Sequence, residues 1–172
     1  MNEVMNNILT RRSVRSYKTD AVPEELLMQV LQAGLYAPSA MNGQKWQFTV
    51  VVGAANREKL AAAVRRALGN PNYNFYEPPV LILVSNKKDN GNAQLDTGCA
   101  MENMFLAAHS LGLSTVWINQ LKTICDEPDV REVLRSFGVP EDHVVLGTVA
   151  LGYASGEIPA AKERTGVVKI VK

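Results

Sequence analysis

Seven consecutive residues near the N-terminus carry the densest group of chemically useful side chains in the sequence. The segment Arg11-Arg12-Ser13-Val14-Arg15-Ser16-Tyr17 holds three guanidinium groups, two serine hydroxyls and a phenol. Arginine presents a planar fork of hydrogen-bond donors that matches phosphate oxygens two at a time. The segment therefore predicts a site for a phosphate or another small anion. The alternative is a solvated basic turn, since short basic runs are commonly exposed surface.

Two other segments favour the anion site over the solvated turn. A second basic group, Lys162-Glu163-Arg164, lies near the C-terminus between a proline and a glycine. The small and polar segment Pro38-Ser39-Ala40-Met41-Asn42-Gly43-Gln44 lies between the two basic groups in sequence. Because of these two segments, the basic run at 11–17 is interpreted as part of a local binding site for a small anion.

The composition limits the class of protein. The chain has 172 residues, the size of one ordinary domain. Lys and Arg total 18 against 17 Asp and Glu, and nucleic-acid-binding proteins normally carry a marked basic excess, so we expect no nucleic-acid partner. Two cysteines are too few for a disulfide framework. We expect a cytoplasmic protein without membrane association, because there is no secretory signal and no apolar run of about 20 residues.

The usual catalytic constellations are missing from the sequence. No cysteine pair has metal-ligand spacing, and His109 and His143 stand far apart, so no metal site is predicted. The glycine patterns of serine hydrolases, phosphate-binding loops and dinucleotide-binding folds are also absent. We interpret His109 and Cys99 as packing residues of a central helix. Chemistry supplied by a bound cofactor is consistent with this sequence, because the protein then provides only binding, orientation and charge.

The hydrophobic pattern predicts the elements that must position these groups. β-branched and apolar runs predict four strands, at Trp46–Val52, Val80–Val84, Leu113–Ile118 and Val144–Leu151. Helical spacing predicts five helices, at residues 2–9, from Pro23 to before Pro38, and at 57–68, 96–112 and 130–137. Four strands interleaved with helices indicate an α+β or α/β layered domain.

Two features suggest a second copy of the chain. The helix that we expect Asp96 to cap has apolar or small residues around almost its whole circumference. Such a helix is covered on both sides, either within a monomer or by a partner. The segment Val167–Val171 alternates well enough to join a sheet edge, which could belong to that partner.

Five blocks of sequence, in order along nearly the whole chain, carry a family resemblance. They are the basic run at 11–17, Ala37-Pro38-Ser39-Ala40-Met41-Asn42-Gly43-Gln44-Lys45-Trp46, Asp96-Thr97-Gly98-Cys99-Ala100-Met101-Glu102-Asn103, Gly112-Leu113-Ser114-Thr115-Val116-Trp117-Ile118, and Leu151-Gly152-Tyr153 with Pro159-Ala160-Ala161-Lys162-Glu163-Arg164. Together the blocks resemble the nitroreductase family of flavin mononucleotide (FMN) enzymes.

The resemblance implies a fold and an activity. We expect one FMN-binding domain over residues 1–172, of α+β class, with a central mixed sheet flanked by helices. We expect an intertwined homodimer with FMN at the subunit interface. The implied reaction takes hydride from NADH or NADPH and reduces nitroaromatics, quinones or related acceptors in two stages. An FMN-binding module without turnover, or a branch with a non-nitro acceptor, is the alternative.

The resemblance also implies residue roles. The flavin phosphate would be bound by Arg11, Ser13, Lys162 and Arg164, with Arg12 alongside. Arg15 would reach the ribityl chain and the pyrimidine edge, and would support negative charge near N1 and O2 electrostatically, so no catalytic side chain is required. The other subunit would contribute Pro38, Ser39, Ala40 and Asn42, with Gln44 as a further candidate. The back of the ring would be covered by Thr115, Val116, Trp117 and Ile118.

The sequence departs from the family pattern at two points. Position 45 usually holds proline, and here it is Lys45, which could change the pocket entrance or the dimer contact. The short loop at 87–92 leaves no room for the helical insertion of larger members, so we expect an open pocket. One of Asn70, Asn72 and Asn74 is expected to address the flavin pyrimidine, and the sequence does not distinguish among them.

Overall fold

Helices and strands alternate along the chain in the computed structural model, which describes residues 1–172. The six helices are α1 Glu3–Thr10, α2 Glu24–Leu35, α3 Ala54–Leu68, α4 Ala93–Ser110, α5 Leu121–Ile124 and α6 Pro128–Ser136. The four strands are β1 Trp46–Val52, β2 Val80–Lys87, β3 Ser114–Ile118 and β4 His143–Gly152. None of the helices has the length and apolar character that crossing a membrane requires.

The four strands form one sheet in the order β1-β2-β4-β3. Every pair of neighbouring strands is antiparallel, and the β2–β4 register shifts once, between Val84 and Ser85. The α+β class is confirmed, but the expected mixed sheet is wrong for these strands. A single parallel bridge, between Ser13 and Thr115, is the only parallel pairing. Periodicity predicts where strands lie and carries no information on their relative direction, which explains the error.

Strand β2 shows how the sheet divides the core into two layers. Side chains alternate between the faces of a strand, so residues two apart share a face. Leu81 and Leu83 pack with α3, α5 and α6 in the larger apolar cluster. Val80, Ile82 and Val84 pack with α2 and α4 in the second cluster. All five side chains are buried, which explains why this strand is apolar throughout.

The predicted strands and long helices are confirmed, and their ends differ by a few residues. Helix α3 begins at Ala54 and closes at Gly69, which takes the left-handed conformation (φ +61°) that glycine adopts without steric cost. The four-residue helix α5 was not predicted, because one helical turn has no readable period. Residues 155–172 have no regular secondary structure in this chain, so the predicted strand at 167–171 is not formed within it.

Helix α4 is the central helix, but only one side of it is covered by this chain. Met101, Met104 and Ala108 are fully buried against the sheet and α2, whereas Leu95 is 71% exposed. Cys99 is also exposed, so the interpretation of Cys99 as core filler is wrong. The side of α4 that carries Leu95 and Cys99 is therefore left on the surface of this chain.

Candidate functional site

The basic segment after α1 runs as extended chain beside strand β3. The Val14 amide donates to the Thr115 carbonyl at 3.0 Å, and the Lys18 amide donates to the Tyr153 carbonyl at 2.9 Å. Val14 is buried. Because side chains alternate along an extended segment, the buried Val14 places Ser13 and Arg15 on the opposite side.

The C-terminal tail returns to the same segment. After β4, the Ser155 amide donates to the Ser16 carbonyl at 2.9 Å, which directs the tail back along the basic run. A cavity of about 350 Å³ lies between them, lined by Arg11, Arg12, Ser13, Arg15, Pro159, Ala160, Lys162 and Arg164. The structure therefore brings together the two basic groups that are about 150 residues apart in sequence, as the sequence analysis expected.

The donor set of this basic cavity suits an anion. Its lining contains four guanidinium groups, one ammonium group and one hydroxyl, and no carboxylate. Arg15, Lys162 and Arg164 take part in none of the ion pairs of the structure. Cations that gather without a carboxylate repel one another, so a bound phosphate would stabilise this arrangement through charge-assisted hydrogen bonds.

Arg11 and Arg12 are each held partly by the protein itself. The Arg11 guanidinium lies 3.7 Å from the Glu102 carboxylate and 5.7 Å from the centre of the Phe105 ring. Arg12 Nη1 donates to the Leu9 and Arg11 carbonyls, both at 2.8 Å. These carbonyls lie at the C-terminal end of α1, where backbone acceptors lack helical partners. Arg12 therefore stabilises the end of α1 as well as lining the cavity.

His109 lies next to Arg11 and Arg12 of the basic cavity and is hydrogen-bonded. Its Nε2 lies 2.8 Å from Thr10 Oγ1, which donates its own proton to the Asn6 carbonyl at 2.7 Å. Thr10 must therefore accept from His109 Nε2–H. Burial, followed by the charges of Arg11 and Arg12, lowers the pKa of His109. Both causes favour the neutral imidazole.

A second, larger cavity adjoins the first at Arg15. It has a volume of about 550 Å³ and is lined in part by Arg15, Tyr17, Arg57 and the turn from Asn74 to Pro78. Among the three candidate asparagines, only Asn74 lines it. Asn74 Oδ1 accepts from the Tyr76 amide at 3.0 Å, which fixes the side-chain amide at the cavity wall. Asn70 instead folds onto the Asn72 amide within its own turn.

The segment Pro38–Gln44 does not line either cavity in its own chain. It is fixed instead by the buried Asp96, whose Oδ1 accepts from the Ala40 amide at 2.9 Å. Asp96 therefore does not cap α4, which begins after Asn92. Met41, Asn42 and Gln44 have positive φ, and the Met41 side chain projects fully into solvent. The segment is a rigid turn that points away from the molecule.

Strand β3 places its four candidate residues in two different environments. Thr115, Val116 and Ile118 are buried, so their side chains face the interior. Trp117 is 39% exposed, and its indole Nε1 donates to Asn119 Oδ1 at 2.5 Å. A ligand along this strand would meet the Trp117 ring and backbone groups.

Two residues near the cavities were missed by sequence reasoning. Tyr76 lies beside Arg15, with the guanidinium carbon 5.8 Å from the ring centre. Phe105 lies beside Arg11 in a similar way. Phe105 lies within the helix predicted at 96–112, and Tyr76 lies outside every predicted helix and strand. Contacts between distant segments leave no local pattern, so no sequence signal pointed to either residue.

A model of the nitroreductase family matches residues 8–153. A crystal structure of a nitroreductase with bound FMN from Bacteroides fragilis is 41% identical, with a TM-score of 0.96 over 100% of both chains. Another, from Desulfitobacterium hafniense, is 26% identical, with a TM-score of 0.86 over 99% of both chains.

A curated relative comes from the archaeon Methanothermobacter thermautotrophicus. It is 35% identical over 170 residues, which cover 94% of this chain and 82% of the relative. Its name gives NADH dehydrogenase and NAD(P)H nitroreductase as candidate activities.

Proposed function

This chain belongs to the nitroreductase family, and from that premise we propose that it is an FMN-dependent oxidoreductase. It takes hydride from NADH or NADPH and reduces nitroaromatics, quinones or related acceptors. Residues 1–172 form its one FMN-binding domain. Two solved relatives, 41% and 26% identical, carry bound FMN.

One observation carries the proposal: cationic side chains from both ends of the chain line one cavity that contains no carboxylate. In this assignment Arg11, Ser13, Lys162 and Arg164 bind the FMN phosphate, and Arg12 lies alongside. Phosphate oxygens accept several charge-assisted hydrogen bonds at once, which suits this donor set. A neutral ligand would leave Arg15, Lys162 and Arg164 without any anionic partner.

The neighbouring cavity is assigned to the pyrimidine edge of the flavin. Arg15 lines both cavities, and Asn74 lines the larger one with it. Bound FMN would supply the hydride-accepting and hydride-donating chemistry, so the protein needs no general base. The role of Arg15 is electrostatic, since a guanidinium beside N1 and O2 stabilises negative charge that develops there.

We assign the rest of the site to a second subunit, in a homodimer. Pro38, Ser39, Ala40, Asn42 and Gln44 lie in a rigid outward-pointing turn that does not reach the cavities of its own chain. Such a turn can complete a site in a neighbouring molecule. Strand β3 closes the site from behind through the Trp117 ring and the backbone of Thr115, Val116 and Ile118.

Three unpartnered surfaces support this homodimer. Helix α1 buries none of its residues, although Val4, Met5, Ile8 and Leu9 are apolar. The side of α4 that carries Leu95 and Cys99 is also exposed. The tail carries four apolar side chains that are each at least 78% exposed, namely Val167, Val168, Ile170 and Val171. Exposed apolar side chains grouped in this way are typical of a protein–protein interface.

Donor and acceptor are proposed to use one open site in turn. The loop between β2 and α4 is only five residues long, from Lys88 to Asn92, and adds no covering element. Sequential occupation of one site predicts parallel lines in double-reciprocal steady-state plots. Intersecting lines would contradict this part of the proposal.

The test is the absorbance of the purified protein, followed by anaerobic addition of NADH or NADPH. We expect a flavin spectrum that bleaches with either donor and returns when a nitroaromatic or a quinone is added. A flavin that stays oxidised with both donors would leave an FMN-binding module without turnover. Protein that is colourless and takes up no added FMN would contradict the proposal entirely.

A further inference from the structure

The turn before strand β2 contains three consecutive residues in the left-handed region. Phe75, Tyr76 and Glu77 have φ values of +54°, +66° and +51°. Residues other than glycine rarely adopt this conformation, because Cβ approaches the backbone closely. A run of three is retained only where the surrounding structure determines each one, and such strain is concentrated at ligand clamps and active sites.

The contacts of the turn explain how the strain is held. The Phe75 side chain is 2% exposed and packs edge-on against Tyr73, with 4.7 Å between ring centres. The Glu77 amide donates to the Asn74 carbonyl, and the Tyr76 amide donates to Asn74 Oδ1, both at 3.0 Å. Phe75 thus anchors the turn in the core, while the Tyr76 ring remains partly exposed.

The exposed ring is directed at Arg15. The guanidinium carbon lies 5.8 Å from the centre of the Tyr76 ring, within the range of a cation–π interaction. Arg15 forms no ion pair and no hydrogen bond of its own with any side chain. The neighbouring Tyr17 hydroxyl donates to the Val14 carbonyl at 2.7 Å and so is committed elsewhere. Tyr76 is therefore the group that orients this guanidinium.

We propose that Tyr76 is a positioning residue, which fixes the Arg15 guanidinium where the two cavities meet and so favours the reduced, anionic form of the bound flavin over the oxidised form. The inference rests on the proposed function, because it requires FMN beside Arg15. The strained turn, anchored by the buried Phe75, holds the ring beside Arg15 through contacts within the protein itself.

The proposal concerns a difference between two redox forms. The oxidised ring is neutral, and the two-electron-reduced ring at neutral pH carries one negative charge after taking up two electrons and one proton. A guanidinium held near N1 and O2 attracts only the reduced form strongly. A guanidinium released from its aromatic support spends time in solvent, where that attraction is screened.

The test is the two-electron reduction potential of bound FMN, measured against a reference dye in four variants. Tyr76→Leu should lower the preference for reduced over oxidised FMN about fivefold, the size expected of a partly exposed cation–π contact, which equals about 20 mV for two electrons. Tyr76→Phe should match the unmodified protein, because the ring is kept. Tyr76→Trp should hold the potential or raise it, because indole binds cations best.

The fourth variant is Arg15→Met, which is also combined with Tyr76→Leu in a double variant. In the Arg15→Met background, Tyr76→Leu should no longer change the potential. A shift that persists there, or equal shifts in Tyr76→Leu and Tyr76→Phe, would overturn the inference. If Tyr76→Leu fails to fold, the Phe and Trp variants decide alone, and a potential lower in Trp than in Phe would contradict the proposal. Failure of the unmodified protein to bind FMN would instead contradict the proposed function.

Discussion

Arginine serves two opposite purposes in this molecule, at the basic cavity and at Arg131 on helix α6. Arg131 is 6% exposed, and it donates to the Pro140 and His143 carbonyls, to Cys125 Sγ and to the Asp126 carboxylate. Arg15 and Arg164, by contrast, have no carboxylate partner. A guanidinium with its donors satisfied inside the protein stabilises the fold. Guanidinium groups that line a cavity and have no carboxylate partner are available to bind an anion from solution.

Removing the satisfied arginine should have the largest effect on stability. Arg131→Ala removes the side-chain donor to the buried His143 carbonyl and the part-buried Pro140 carbonyl, and leaves Cys125 Sγ with only the Val145 amide as donor. We expect this to cost about 3 kcal/mol of unfolding free energy. Urea denaturation measures this loss. The control is Arg135→Ala on the same helix, whose ion pair with Glu141 is exposed and worth less than about 1 kcal/mol. Equal losses in the two variants would remove the distinction between the satisfied and the exposed arginine.

Loss of Arg12 should have an intermediate effect on stability, because its side chain both binds backbone carbonyls of the protein and lines the basic cavity. Its Nη1 closes the end of α1 through the Leu9 carbonyl, and its side chain lines the basic cavity. Arg12→Gln should lower the unfolding free energy by about 1 kcal/mol and weaken FMN binding less than loss of Arg164 does. Denaturation and fluorescence titration of FMN measure the two quantities. An unchanged stability would show that Arg12 serves only the ligand.

The two histidines should have the smallest effect on stability, and they allow two residues of the same type to be compared. Burial is the main cause that lowers the pKa of both. At His109 the charges of Arg11 and Arg12 add to the effect. At His143 the Asp142 carboxylate opposes the lowering, and Lys87 and Arg131 add to it. A neutral histidine that resists protonation when folded contributes stability that is present above its unfolded pKa of about 6.5 and is lost as the pH falls below it.

A bound anion should separate the two histidines. FMN phosphate beside Arg11 and Arg12 would offset their charge and raise the pKa of His109. It would leave His143 unchanged, because His143 lies beside Arg131. Proton NMR titration of the two imidazoles, with and without FMN, measures both values. Equal shifts at the two rings, or a shift at His143 alone, would place the anion elsewhere.

The sequence predicted most of the fold, because periodicity reports local burial directly. The β2 run, the helix that closes at Gly69 and the central helix α4 all lie where their patterns indicated. The direction of the strands was predicted wrongly, since pairing depends on segments far apart in the chain. Asp96 was expected to cap a helix and instead binds the Ala40 amide, 56 residues away.

The candidate site, like the fold, could be predicted in part from the sequence. Basic residue types at both termini indicated an anion, and the structure places Arg11, Arg12, Ser13, Arg15, Lys162 and Arg164 around one cavity. The placement of the Tyr76 ring beside Arg15 was not predictable, because it depends on positive φ angles at residues 75–77 that these residue types do not favour. The choice of Asn74 over Asn70 and Asn72 also required coordinates, since only the path of the turn decides which amide lines the larger cavity.

The central claim is that the two termini together bind one phosphate, and a pair of ligands tests it most directly. FMN and riboflavin differ only in that phosphate, so their dissociation constants should differ in the unmodified protein and converge in Arg164→Glu. We expect FMN binding to weaken at least about 100-fold, or about 2.7 kcal/mol, with riboflavin nearly unaffected. Lys18→Glu, an equal change of charge on an exposed side chain outside the cavity lining, is the control. Unchanged FMN affinity in Arg164→Glu, or an equal loss for riboflavin, would contradict the claim.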